Sequence, residues 1–348
     1  MPTSVETDYT LLSATPNVIQ LVASDDGLYW HDGTTIWALP RGQAAPSVLY
    51  AYQQSSAAGT QPVAGQTQPA ITGLLADAGH VYWSEGSYEV VVDLGFVAGP
   101  PPPGRLLSVP QAGGPVQVLL DSSAPGFRAL GVDGSRVIVR MGGVDAGFYA
   151  FNQLDRTLSR LAAPADPYAS IVRGDQIYWS EPEGEEDGSR LLRAQLDATE
   201  AKVLARIEDS TFDVGPGYVL WRHDHLVTQP ELLLQQNLVI WRDDTGCVQS
   251  LPGAGESISY GTALDARHAY WHSFNGLGAV SMSVSSDGRS TVSPLPEVSL
   301  VRLDLQNGAL EQLEVAGFHS TLGDQILGLD TEHLFIATPD GLVAIRTP

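Results

Sequence analysis

One block recurs along the chain: a short apolar strand, a turn carrying Asp, and a second strand ending in Tyr-Trp or an equivalent pair. The first copies are Leu21-Val22-Ala23-Ser24-Asp25-Asp26-Gly27-Leu28-Tyr29-Trp30 and Leu74-Leu75-Ala76-Asp77-Ala78-Gly79-His80-Val81-Tyr82-Trp83. Leu130-Gly131-Val132-Asp133 leads to Val137-Ile138-Val139, and Ile171-Val172-Arg173-Gly174-Asp175 leads to Ile177-Tyr178-Trp179. The last three pass from Phe212-Asp213-Val214-Gly215 to Tyr218-Val219-Leu220-Trp221, from Ala263-Leu264-Asp265 to Ala269-Tyr270-Trp271, and from Leu327-Gly328-Leu329-Asp330 to Leu334-Phe335-Ile336. A motif this short cannot bury its apolar face alone, so its recurrence points to units that pack on one another.

Each block continues into a third strand, such as Arg105-Leu106-Leu107-Ser108-Val109-Pro110 or Arg190-Leu191-Leu192-Arg193-Ala194. A Gly, Asn or Asp turn then leads to a fourth, such as Val116-Gln117-Val118-Leu119-Leu120. Period-two alternation bounded by turn residues marks half-buried antiparallel strands. The expected fold is all-β: a seven-bladed β-propeller of four-stranded antiparallel blades in a single domain over 1–348. Blades begin near residues 20, 72, 128, 169, 211, 261 and 325. The last has no sequence left for a fourth strand after Leu342-Val343-Ala344-Ile345-Arg346. The N-terminal strand within 8–14, Asp8-Tyr9-Thr10-Leu11-Leu12-Ser13, is expected to complete it and close the ring. The alternative is an eight-bladed ring, splitting blade five at Asn237-Leu238-Val239-Ile240-Trp241.

Composition narrows the function classes. The 348 residues are 43% hydrophobic, enough for a large core, and only 17% charged, with 36 Gly and 23 Pro supplying turns. A net charge of −22 leaves no basic face for nucleic acid or an anionic membrane, and mutual repulsion favours a monomer. The single Cys, Cys247, excludes an internal disulfide and a Cys-rich zinc site. The N-terminus lacks the basic and apolar regions of a signal peptide, which favours the cytoplasm, with an exported form whose leader was removed as the alternative.

The tetrads Tyr29-Trp30-His31-Asp32, Tyr82-Trp83-Ser84-Glu85 and Tyr178-Trp179-Ser180-Glu181, with Val109-Pro110-Gln111-Ala112-Gly113-Gly114, resemble the YWTD-type and related bacterial β-propeller repeats. The resemblance implies the same fold and blade packing. Propellers with such blades include receptors, lectins, scaffolds, lyases and hydrolases, so it implies no ligand.

Repetition assigns the recurring residues to structure. Asp77, Asp133, Asp265 and Asp330 are expected to accept backbone N–H groups in the turn after strand one, in preference to a metal role. The Tyr and Trp residues are expected to fill the wedges between blades. Function is expected where repeats vary, in the loops after strand two and entering strand one. The residues just after strand two are His31, Ser84, Arg140, Ser180, Arg222 and His272, with His223, Asp224 and His225 beside them. Loops entering strand one add Arg128, Tyr168, Thr211, Tyr260 and His319.

The reading favoured is a binding module holding a small polar ligand or a peptide segment at the channel mouth. Its contacts are Arg140, Arg222, Asp224, Tyr88, Phe274, Tyr168 and His319. The alternative is a lyase, cyclase or hydrolase on the same face, with His223, His225, His272 or His31 as catalytic residues. No cofactor is expected. In an extended segment His223 and His225 project to one side and would make two ligands for a divalent metal, but the spacing fixes no third.

Overall fold

The computed structural model describes the chain except residues 1–2, 15–16, 53–67, 89–103, 125, 163–166, 168, 184–187, 198–199, 208–211, 228–232, 252–257, 276–282, 285–289, 292–296, 316–324 and 348. Only the backbone is described at 3–6, 68–70, 87–88, 222–227, 233–237, 251, 258–261, 273–275, 283–284, 290–291 and 297–298. The fold is a seven-bladed β-propeller. Blade one is built from Gln20–Ser24, Gly27–His31, Thr35–Pro40 and Ser47–Ala51; blade two from Gln68–Ala76, His80–Tyr88, Gly104–Pro110 and Gln117–Ser122. Blade three comprises Arg128–Asp133, Arg136–Met141, Gly147–Asn152 and Leu158–Ala162, and blade four Ser170–Arg173, Gln176–Pro182, Ser189–Gln195 and Lys202–Ile207. Blade five contains Phe212–Gly215, Tyr218–Val227, Leu233–Arg242 and Val248–Leu251, so residues 237–241 belong to its third strand and start no eighth blade.

Blade six runs Ile258–Leu264, His268–Asn275, Glu297–Asp304 and Leu310–Val315; blade seven runs Gln325–Leu329, His333–Thr338 and Gly341–Arg346. Tyr9–Ser13 pairs antiparallel with Gly341–Arg346 and supplies blade seven's fourth strand, as the sequence led one to expect. An unexpected strand precedes it. Thr3–Thr7 adds to blade six, parallel to Leu310–Val315. The chain groups into two compact units: residues 17–186 with 190–205, and residues 1–16, 187–189 and 206–348.

The Tyr-Trp pair follows from strand geometry. Adjacent strand residues project to opposite faces, so the two rings of a Tyr-Trp pair point to opposite faces of their blade. Trp83 packs with Tyr29, Ile36 and Leu107 between blades one and two, whereas Tyr82 joins Phe127, Ala129 and Val139 between blades two and three. Blade six repeats this, with Trp271 against Leu220 and Leu238 of blade five and Tyr270 against Ile326 and Ile336 of blade seven. Within each unit the core is therefore a series of wedges. Trp83 and Trp271 are fully buried, and burying such rings is worth roughly 2–3 kcal/mol each or more.

Close approach of first strands fixes the wedge angle. A β-bulge at Thr72 precedes Gly73, and another at Leu130 precedes Gly131. A Cβ on Gly73 would lie 2.5 Å from the Ala129 carbonyl oxygen, and one on Gly131 2.5 Å from the Val172 Cβ. Only glycine lets these strands come together. The bulged Thr72 turns its hydroxyl to the Phe127 carbonyl, at 3.0 Å, stitching blade two to blade three.

Candidate functional site

Most recurring polar residues are occupied by the fold. Asp77 Oδ1 accepts the backbone N–H groups of Gly79 and His80, both at 2.8 Å, and its Oδ2 accepts the Tyr82 hydroxyl at 2.6 Å. Asp265 accepts from the N–H groups of Arg267 and His268, and Asp330 from those of Glu332 and His333. In these three turns the Asp is a backbone clamp, whereas Asp133 pairs with the Arg136 side chain of its own turn. The same turns carry an Asp-x-x-His pattern that the sequence reading passed over: His80, His268 and His333 sit in equivalent places, each ring about 6 Å from the aromatic two residues on. Among the described residues no group of three or more His, Cys, Asp or Glu side chains is placed to hold a metal ion.

The residues after the Trp follow a second rule. Ser84 is completely buried, and its Oγ accepts the Ala129 N–H of the next blade at 2.9 Å. Ser180, also buried, accepts the Ala169 N–H at 3.2 Å. The next residue is a buried Glu in both blades. Glu85 binds Arg105, the Tyr50 hydroxyl (2.6 Å) and the Trp83 indole N–H (3.4 Å); Glu181 binds Arg190 (2.6 Å) and the Trp179 indole N–H (3.3 Å). In Trp-Ser-Glu, then, the Ser holds a backbone N–H and the Glu holds the indole.

Blade one breaks both halves of the rule. Asp32 replaces Glu, one methylene shorter, and folds onto its own turn, accepting the N–H groups of Thr34 (2.9 Å) and Thr35 (2.8 Å). Burial opposes ionisation of Asp32, but these bonds outweigh it and hold its carboxyl below the usual range. The Trp30 indole N–H is left without a partner. His31 replaces Ser, and the task Ser84 performs falls to a carbonyl: Ile71, which occupies the register position of Ala129, donates its N–H to Gly33 O at 2.9 Å. His31 is released from that task.

The imidazole of His31 is 1% exposed. Its Nδ1 accepts the Gly33 N–H at 3.1 Å, so in the neutral ring the proton resides on Nε2. That Nε2 has no hydrogen-bond partner. Burial drives the pKa down to about 4; Asp32 pulls it up, and the Arg128 guanidinium pushes it down further. The charge of Arg128, at the start of blade three's first strand, thus reaches the ring from two blades away.

Arg128 differs from the arginines that close ion pairs. Arg105, Arg136, Arg190, Arg267 and Arg302 pair with Glu85, Asp133, Glu181, Asp304 and Glu311. Arg128 has neither ion pair nor side-chain hydrogen bond among the described residues. Desolvation alone lowers its pKa, although much of the side chain is open to solvent. Arg140 stands directly opposite Arg128 across the strand pair, on the same sheet face. Like charges are normally kept apart there, and Arg140 has interactions of its own.

The remaining sequence candidates fall elsewhere. His272 is fully buried at the position equivalent to His31, in the unit containing blade six. Arg222, His223, Asp224 and His225 lie in the second strand of blade five, Tyr88 and Phe274 at the ends of second strands, and Tyr260 in the first strand of blade six; only their backbone is described. Tyr168, Thr211 and His319 lie outside the described residues.

No known protein family matches the chain, and no curated protein matches it by sequence. Solved structures do resemble it. Kuenenia stuttgartiensis hydrazine synthase matches with a TM-score of 0.54 at 12% identity, over 96% of this chain and 97% of that one. An oligogalacturonate lyase from Vibrio parahaemolyticus matches at 0.50 and 10% identity, over 97% and 80%. A computationally designed protein matches at 0.50 and 11%, over 98% and 100%. At such identities the likeness establishes the propeller fold alone. That a synthase, a lyase and a designed chain share it leaves function to the site.

Proposed function

We propose that this propeller, with its Tyr-Trp-type blades, is a binding module that holds a small polar ligand or peptide segment at the ends of blades one and three. The observation that carries this reading is the charge of Arg128 acting on the buried His31 ring: Arg128 has no counter-charge among the described residues, and His31 Nε2 has no hydrogen-bond partner. Unsatisfied polar groups cost about 1–3 kcal/mol each when buried, and a ligand supplying acceptors removes that cost. Arg140 is the second cationic contact in this proposal.

Binding is favoured over catalysis by the state of His31. With a pKa of about 4, roughly one ring in a thousand is protonated at neutral pH, and acid–base catalysis works best when the pKa lies near the working pH. The ring serves as a fixed donor and not as a proton shuttle. A thermal-shift screen of polar metabolites and short peptides tests the reading. Ligands that raise the melting temperature of the wild type are expected to lose the effect in Arg128→Gln and His31→Asn. A screen whose hits act equally on all three proteins would contradict it.

A further inference from the structure

We infer that His223 and His225 form a binding site for one divalent transition-metal ion of the nickel, copper and zinc class. The juxtaposition that carries this lies in blade five and is independent of Arg128 and His31. The second and third strands of the blade, Tyr218–Val227 and Leu233–Arg242, are ten residues each. Their register runs without a bulge from Tyr218 opposite Arg242 to Val227 opposite Leu233. Unbroken register preserves the alternation of faces, so His223 and His225 hold successive positions on one face, the face of Val219 and Trp221. His-x-His spacing alone leaves this open, because a bulge between the two residues would send them to opposite faces. Two such positions are about 6.6 Å apart along a strand, a span over which two imidazoles can close on a single ion at about 2 Å from each nitrogen.

The register also specifies the class of ion. Among the described residues, pairing with the blade's first strand ends at Trp221, opposite Phe212, and pairing with its fourth ends at Leu238, opposite Leu251. Residues 222–227 and 233–237 therefore continue as a two-stranded ribbon. Every residue from 223 to 225 and from 235 to 237 is polar, on both faces, a composition that suits contact with water and not a core. Asn237 stands opposite His223 and Gln235 opposite His225, whereas Asp224 belongs to the other face with Gln236. The same-face set is thus imidazole and neutral amide, without carboxylate or thiolate. Magnesium and calcium are held by oxygen ligands, carboxylates above all, while imidazole suits Ni2+, Cu2+ and Zn2+. His80, His268 and His333 offer no such pair, since they come one to a turn, each beside an aromatic ring. The net charge of −22 draws cations to the surface as a whole, and the histidine pair selects among them.

Calorimetric titration of the tag-free full chain with Ni2+ tests the inference. One ion per chain is expected to bind saturably near neutral pH in the presence of excess Mg2+. His223→Gln and His225→Gln are each expected to weaken binding at least about tenfold, because each removes one of two imidazoles, and His333→Gln to leave it unchanged. The exchange variant Asp224→His/His225→Asp keeps composition and charge but places the two histidines on opposite faces, and it is expected to lose binding as His225→Gln does. Selective broadening of the His223 and His225 ring signals by substoichiometric Ni2+ gives the same reading in the wild type without any substitution. The absence of saturable Ni2+ binding overturns the inference, as does binding that Mg2+ competes away at equal concentration or that survives both single substitutions. Equal broadening of all the histidines overturns it too. Affinity retained in the exchange variant overturns the same-face geometry on which the site depends.

Discussion

Gly33 donates its backbone N–H to His31 Nδ1 at 3.1 Å, and this one bond sets the tautomer of a ring enclosed between blades. Its consequence for stability has a definite sign. The folded pKa, about 4, lies below the ordinary 6.5, so between these values the unfolded chain binds more protons. Stability is therefore expected to fall as pH drops from about 6.5 to 4, by about 3 kcal/mol from this group. His31→Asn keeps an acceptor for Gly33 and removes the titration. Urea unfolding at stepped pH should show a slope between pH 5 and 6.5 in the wild type that is reduced in the variant.

Ser84 is the structural counterpart of His31. Ser84→Ala leaves the Ala129 N–H without its acceptor and takes a partner from the Thr72 hydroxyl, which lies 3.0 Å away. A loss of about 1–3 kcal/mol is expected, without effect on ligand binding. Equilibrium unfolding combined with the thermal-shift screen separates the two outcomes.

Glycine at the close approach of blades two and three is equally testable. Gly73→Ala places a methyl 2.5 Å from a backbone oxygen that cannot yield, and a loss of about 2–3 kcal/mol is expected. Gly79→Ala, whose methyl would meet nothing nearer than 3.9 Å, is the control, with a change within about 1 kcal/mol. Denaturant midpoints of the two variants provide the comparison.

The sequence made the blades legible because the Tyr-Trp pair fills one wedge with each ring, and the Asp five residues before the Tyr clamps the turn. Repetition exposed those roles. The parallel strand Thr3–Thr7 was not legible, since its pairing depends on where Leu310–Val315 leaves an open edge and not on any pattern of its own. The site was half legible. His31 stood out in the sequence as a catalytic candidate, whereas Arg128 was one of several positions entering strand one and nothing marked it above its equivalents. The distinction lies in which N–H each side chain satisfies, and Gly33 O taking the Ile71 N–H is a tertiary fact. The signal that was available is the paired departure of His31-Asp32 from the Ser-Glu of blades two and four.

The two N-terminal strands have separable roles. Deleting residues 1–7 removes the parallel addition to blade six and the Thr7 hydroxyl bond to the Arg346 carbonyl. Deleting residues 1–14 also strips the fourth strand from blade seven and bares the edge of Gly341–Arg346. The first truncation is expected to lower the melting temperature by a few degrees and stay monodisperse. The second is expected to aggregate on size-exclusion chromatography.

The central claim, that His31 presents a free Nε2–H under the influence of Arg128, is tested most directly by 15N NMR titration of the imidazole in the wild type and in Arg128→Gln. The account predicts the Nε2–H tautomer at neutral pH, protonation only near pH 4, and an upward shift of that midpoint when the guanidinium is removed. An Nδ1–H tautomer, or a midpoint near 6.5 that ignores the substitution, would contradict it.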